Sequence, residues 1–187
     1  MSELSKSKTP LSIKDLAAMN EHAELVDNHL IIKNYTSYEH NNAVLEIAMN
    51  FKSFISKTNG DCKVSTDVVA LHCDELCDEK GNFFLPDVMV VCDKDGIKHD
   101  GVHTAPRFVA EVTSESTKSN DYGQKMVIYS KIGVEEYWVV DLQRKLIVRY
   151  LLRNGFIPEM IHYPNTVSLS VDSYPGLTIE LSPIFEA

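Results

Sequence analysis

The sequence predicts an α/β fold of the mixed, α+β kind: a central sheet with helices packed on its faces and extra β-hairpins near both ends. Three observations carry that expectation. From Tyr38 to about Ser56, apolar residues recur at steps of three and four, as on a helix with one buried stripe. Several shorter runs are almost wholly apolar, as strands covered on both faces are. The order helix, strands, helix, strand then points to one mixed sheet.

Taken in order, Ser2 to Thr9 is rich in Ser and Lys and reads as a flexible tail over residues 1–10. Residues 11–187 read as a single domain, with no internal repeat and no change of composition along them. Pro10 and Ser12 ahead of Ile13, Leu16, Ala17 and Met19 suggest a short first helix. Ala23–Val26 and Leu30–Ile32 flank Asp27-Asn28-His29, which reads as a small hairpin. The long helix buries Val44, Ile47, Ala48, Phe51 and Ile55. After the Asn59-Gly60 turn, Cys62 to Leu71 is a β-branched run expected as a strand. Leu85–Val91 and Arg107–Val112 are two more strands. Ser116 to Ser119 offer N-caps for a helix that Gly133 stops. Glu136–Asp141 is a further buried strand, with Leu146–Leu152 as its hairpin partner and Tyr137 and Trp138 packed in the core. Turns at Asn154-Gly155 and Pro175-Gly176 divide a tail of short strands, whose edges leave a homodimer open.

Composition narrows the function classes. The chain has 187 residues, 44% hydrophobic and 24% charged, which excludes a disordered or fibrous protein. No run nears the roughly 18 apolar residues of a membrane span, and MSELSKSKTP lacks a secretory apolar segment, so a cytoplasmic location away from membranes is expected. The four cysteines are then expected as free thiols. Eighteen basic against 27 acidic residues leave a net charge of −9, so any hold on nucleic acid must be local. A carboxylate cluster around a divalent metal is compatible with that charge.

Asp87 and Glu111 sit inside apolar strands, where an unpaired carboxylate costs several kcal/mol. Each therefore needs solvent, a partner or a metal. Alternation puts Val109, Glu111 and Thr113 on one strand face and Phe108, Ala110 and Val112 on the other. If Asp87 lies on the neighbouring strand, about 4.8 Å away, both acids reach one divalent ion. The plainer reading is a core ion pair or a turn cap. Asp121, Lys125 and Tyr129, spaced by four, share one helical face, and Asp121 can pair with Lys125. By itself such a pair is ordinarily a solvated surface feature.

Other constellations are weaker. His72, Cys73, Cys77, His99 and His103 are five potential zinc ligands, although the strand with Asp87 divides them and exposed loop residues are the ordinary reading. No Gly-rich loop ending in Lys-Ser or Lys-Thr is present, and no Gly-x-Ser-x-Gly, which sets aside a phosphate-loop hydrolase and a serine hydrolase.

The segments Pro86-Asp87, Ala110-Glu111-Val112-Thr113-Ser114, Asp121-Tyr122-Gly123-Gln124-Lys125 with Tyr129, and Gly133 to Asp141 together resemble the Uma-type family of restriction-endonuclease-like proteins, within the PD-(D/E)XK nuclease superfamily. Glu24 to Leu30 is similar to a further family pattern, with Asn28 where the family has Gly, and so is His40 near the long helix start. The likeness runs from about Glu21 to Phe185. It implies a restriction-endonuclease-like fold and divalent-metal-dependent endonuclease activity on nucleic acid, DNA foremost. Mg2+ is the implied ion, with Mn2+ as a substitute. Asp87 and Glu111 would hold the metal, with the Val112 backbone carbonyl as a third ligand. The superfamily lysine position two residues after Glu111 is Thr113 here, so the resemblance assigns the lysine to Lys125 on the next helix. Glu24, His40, Thr113, Asp121 and Tyr129 would line the same cleft. The competing expectation is a degenerate nuclease-fold module that binds nucleic acid or protein without cutting.

Overall fold

The computed structural model describes residues 22–33, 35–78, 81–113, 120–153 and 155–186. The expected tail, the short first helix and the N-cap serines at 116–119 lie outside these residues. The N-terminal hairpin forms as expected from β1 (Ala23–Val26) and β2 (His29–Ile32), and both turn residues, Asp27 and Asn28, adopt positive φ. Helix α1 (Tyr38–Lys57) starts at Ser37, whose hydroxyl accepts the His40 N–H at 3.2 Å, and buries the expected stripe.

The central sheet has six strands in the order β10-β9-β8-β7-β4-β3, built from β3 (Lys63–Thr66), β4 (Val88–Val91), β7 (Phe108–Val112), β8 (Glu136–Asp141), β9 (Leu146–Leu151) and β10 (Ile157–His162). All neighbours are antiparallel except β7 and β8, whose parallel pairing needs a crossover. That crossover carries a π-helical turn (Asn120–Gln124) and α2 (Lys125–Ile132), closed by Gly133 at φ 97°. The sequence reading expected an uninterrupted α-helix here. Small two-stranded sheets, β5 (Ile97–Lys98) with β6 (Gly101–Val102) and β11 (Ser168–Ser170) with β12 (Thr178–Glu180), complete the fold with the short α3 (Ser182–Phe185).

Two further expectations fail. The strand read over Cys62–Leu71 stops at Thr66, because Asp67 turns to φ 44° and leaves the extended region. The four cysteines are not all thiols: the β3–β4 register continues to bring Cys62 opposite Cys92, and the two form a disulfide. Cys73 and Cys77 remain free.

The sheet divides the interior. On one face, Val44, Ile47 and Phe51 of α1 pack on Val88, Val90, Phe108, Ala110, Trp138 and Val140. On the other, Ile128, Tyr129 and Ile132 of α2 and Val26 of β1 pack on Met89, Val91, Val109, Tyr137 and Val139. Tyr137 and Trp138 are both fully buried, as core residues.

Candidate active site

Strand alternation decides which acids meet. Val88 pairs with Ala110 across β4 and β7, so extending the register by one place sets Asp87 opposite Glu111, on the face that α2 covers. In β1 the same period turns Ala23 and Leu25 toward Phe83 and leaves Val26, with Glu24, facing the α2 side. Asp87, Glu111 and Glu24 are 4%, 2% and 1% exposed, so bulk solvent is not their partner.

Lys125 provides one. Its ammonium lies 2.9 Å from Glu111 Oε1, 3.0 Å from Glu24 Oε2 and 3.4 Å from Asp121 Oδ1, over the Phe84 ring at 5.6 Å. Burial opposes its charge, but Glu111, Glu24 and Asp121 outweigh that and hold it well above the ordinary lysine range. The Asp121–Lys125 pairing expected from spacing is present, in a buried site rather than a solvated one. One turn later the Tyr129 hydroxyl donates to Glu111 Oε1 at 2.7 Å. Burial, first, pushes the Glu111 carboxyl up to about 8; Lys125 works against that shift and the Asp87 charge adds to it.

Asp87 is held differently. Its Oδ2 accepts the Val112 N–H at 2.7 Å and lies 3.3 Å from His40 Nε2. Burial works against its ionisation, yet the His40 hydrogen bond and the charges of Lys33 and His40 win and keep it well below the usual carboxylate range. Burial opposes the His40 charge, but the hydrogen bond to Asp87 and the charges of Asp87 and Asp67 together outweigh it and shift His40 upward. Two neighbouring acids thus have opposite protonation tendencies. Glu24 anchors the site to the chain entering β4 by accepting the Leu85 N–H at 2.7 Å.

Thr113 stays outside this set: its hydroxyl turns to the Val140 carbonyl at 3.5 Å. Lys33 belongs to it and was missed. Its ammonium contacts the Leu85 carbonyl at 2.6 Å, Asp87 Oδ1 at 3.1 Å and, more distantly, Glu24 Oε1 at 3.8 Å. Burial disfavours that charge, but Asp87, Glu111 and Glu24 raise the Lys33 pKa above its ordinary value. Hairpin alternation was the available signal, because Glu24 pairs with Ile31 and Lys33 lies two residues further on the same face. Asp67, whose carboxyl is lifted by burial and by Asp87, was also missed, and the core residue Tyr137 donates its hydroxyl to the Asp121 carbonyl at 2.8 Å.

The donors fit a hard divalent ion. Asp87 and Glu111 lie side by side across β4 and β7, and the Lys33 ammonium adjoins them through Asp87, against an all-oxygen set completed by Glu24 and the Leu85 carbonyl, the ligand chemistry that Mg2+ and Mn2+ take. The zinc grouping is less favourable. Among the described residues His72, Asp100 and His103 bring ligand atoms within 4.8 Å of one another. However, the His72 and His103 rings stack at 4.0 Å and 15°, which sets their lone pairs side by side rather than toward one point. His103 meets Glu75 at 2.6 Å and Asp100 at 3.0 Å, His99 is exposed, and Cys73 is buried in the core with its thiol pKa pushed up by burial.

The sequence matches the family model described as "Putative restriction endonuclease" (Uma2) over residues 13–182. No protein in the curated set matches it. Among solved structures, the "putative nuclease belonging to DUF820" from Anabaena variabilis ATCC 29413 superposes with a TM-score of 0.73. The match covers 95% of this chain and 98% of that chain at 14% identity, a likeness of fold. No helix among the described residues is long and apolar enough to cross a membrane. With the mixed sheet matching a nuclease fold and the family model spanning nearly its whole length, this chain belongs to the Uma2 family of restriction-endonuclease-like proteins.

Proposed function

We propose that the chain is a divalent-metal-dependent endonuclease that hydrolyses phosphodiester bonds in nucleic acid, DNA foremost. The observation that carries this reading is the convergence of Glu111 and Glu24 on the Lys125 ammonium, with Asp87 beside Glu111 on the sheet face that α2 covers. Asp87, Glu111 and the Val112 carbonyl would hold Mg2+, or Mn2+ in its place. The chemistry such an ion would supply there is polarisation of the scissile phosphate and a lowered pKa of a water nucleophile. Lys125 remains charged, so its role is to stabilise developing negative charge or orient that water rather than to accept a proton. Tyr129 fixes the Glu111 carboxylate, His40 and the Val112 N–H fix Asp87, and Glu24 with Asp121 fixes Lys125. Lys125 thereby takes the part that Thr113 cannot.

Cleavage of plasmid and single-stranded DNA, with RNA in parallel, tests this with and without Mg2+ or Mn2+. Wild type is expected to cut only with metal, and Asp87→Asn, Glu111→Gln and Lys125→Met to lose the activity. Equal cutting by all four proteins overturns the assignment. The near-complete burial of the acids favours a second reading, a module that binds without cutting. Nucleic-acid binding with no turnover in either metal would establish it. A homodimer belongs to the proposal too: β10 is a sheet edge, and Phe156, Ile157 and Met160 are exposed along it. Sedimentation analysis tests that part.

A further inference from the structure

We infer that Lys33 is a tethered competitor for the divalent-cation seat, an internal ammonium that must withdraw before a metal ion can bind. The inference rests on the metal-site reading above and adds a residue of opposite charge to it. Three features carry it. Among the described residues, the Lys33 ammonium meets oxygens of the kind a hard cation takes: the Leu85 carbonyl at 2.6 Å, Asp87 Oδ1 at 3.1 Å and Glu24 Oε1 at 3.8 Å. Its carboxylate contact uses Asp87 Oδ1, while Oδ2 is engaged by the Val112 N–H and His40, so Lys33 covers the remaining side of that ligand. Its side chain is 19% exposed whereas that of Lys125 is 2% exposed, so of the two lysines Lys33 is the one whose side chain reaches the surface.

A divalent ion held by Asp87 would share that carboxylate with the Lys33 ammonium, 3.1 Å from its Oδ1, and like charges on one buried carboxylate repel strongly. The two cations therefore exclude each other. The metal-free cluster keeps its carboxylates neutralised by Lys33, and metal binding is weakened by the fraction of molecules in which the seat is taken. The flexible four-carbon stem, attached just after the end of β2, allows the exchange without moving the sheet.

The test measures Mn2+ affinity directly, by calorimetry and by the electron paramagnetic resonance signal of free Mn2+, on wild type, Lys33→Met, Lys33→Gln and Asp87→Asn. Circular dichroism checks that each is folded. Both Lys33 variants are expected to bind Mn2+ at least about tenfold more tightly than wild type, and Asp87→Asn to bind weakly. A second measurement needs no substitution: in wild type, acylation of Lys33 by an amine reagent, read by mass spectrometry, should be slow in EDTA and faster with Mn2+. Unchanged or weaker Mn2+ binding by the Lys33 variants, with wild type and Asp87→Asn still differing, overturns the competitor role and leaves the metal seat standing. Absence of Mn2+ binding in every protein, with Lys33 acylation insensitive to Mn2+, overturns the seat and the competitor together.

Discussion

The two faces of the central sheet bury acids in different ways, and the difference separates a site from a support. On the α1 face, Glu136 is fully buried and accepts hydrogen bonds from the Trp138 indole at 2.8 Å and the Ser173 N–H at 2.6 Å. Neutral donors hold it and the surrounding cluster is apolar. On the α2 face, Glu111 is held by an ammonium and a tyrosine hydroxyl, with further carboxylates within reach of the same ammonium. One glutamate joins an element to the core. The other belongs to a group of charges that neutral hydrogen bonds alone could not hold, and such groups concentrate where chemistry needs them. Burial of an acid is therefore a poor guide to function; the charge of its partner is the better one.

The largest effect expected is on cleavage. Asp87→Asn should lower the Mg2+-dependent rate by at least about 100-fold, while Glu136→Gln leaves the rate per folded molecule unchanged. Gel assays at matched folded concentrations measure both, and an equal loss would erase the distinction between the faces. Next is stability. Lys125→Met removes the cation between buried carboxylates and should cost about 3–5 kcal/mol in urea denaturation with EDTA. Adding Glu24→Gln and Glu111→Gln should recover much of it. Phe51→Ala on the apolar face should cost a similar ~3–5 kcal/mol, with no such rescue.

The third effect is a pH dependence confined to the α2 face. With a folded pKa of about 8 against an ordinary value of 4.5, Glu111 keeps a proton in the folded protein that the unfolded chain has released. Stability should therefore fall as pH rises from about 5 to 8, by up to a few kcal/mol. His40, raised above its ordinary 6.5, adds in the same direction as pH climbs through its folded pKa. Asp87, held low, contributes stability at neutral pH that is lost only in acid. Glu111→Gln should flatten the fall between pH 5 and 8 in thermal melts taken in EDTA, and an unchanged slope would assign it to another group. The smallest effect is expected from Trp138→Phe, which leaves Glu136 with the Ser173 N–H and should cost about 1–2 kcal/mol without changing cleavage.

Periodicity made much of this arrangement readable from sequence. The strand Glu136–Asp141 matches its expected bounds, α1 ends within a residue of them, and the two-residue turn at Asp27-Asn28 forms the expected hairpin. The same alternation placed Glu111 opposite Phe108 and Ala110 across the strand. Part of what escaped depends on contacts between distant segments, and part on local backbone conformation. Alternation puts Lys33 on the face of Glu24, but nothing local pairs it with Asp87, 54 positions along the chain. Cys62 and Cys92 pair only because of the β3–β4 register, which composition does not reveal. The π turn before Lys125 and the early end of β3 at Asp67 follow from local backbone conformations that propensity does not distinguish.

One consequence of the hairpin reaches beyond its own strands. Glu24 and Lys33 belong to β1 and to the end of β2, outside the six-stranded sheet, and the Leu25–Phe83 bridge is what seats them against it. The charge cluster is thus spliced from two separately paired β units. A latch of about a dozen residues would, on lifting, carry away one carboxylate and one ammonium in a single movement, leaving the net charge of the remainder unaltered while opening its interior to water.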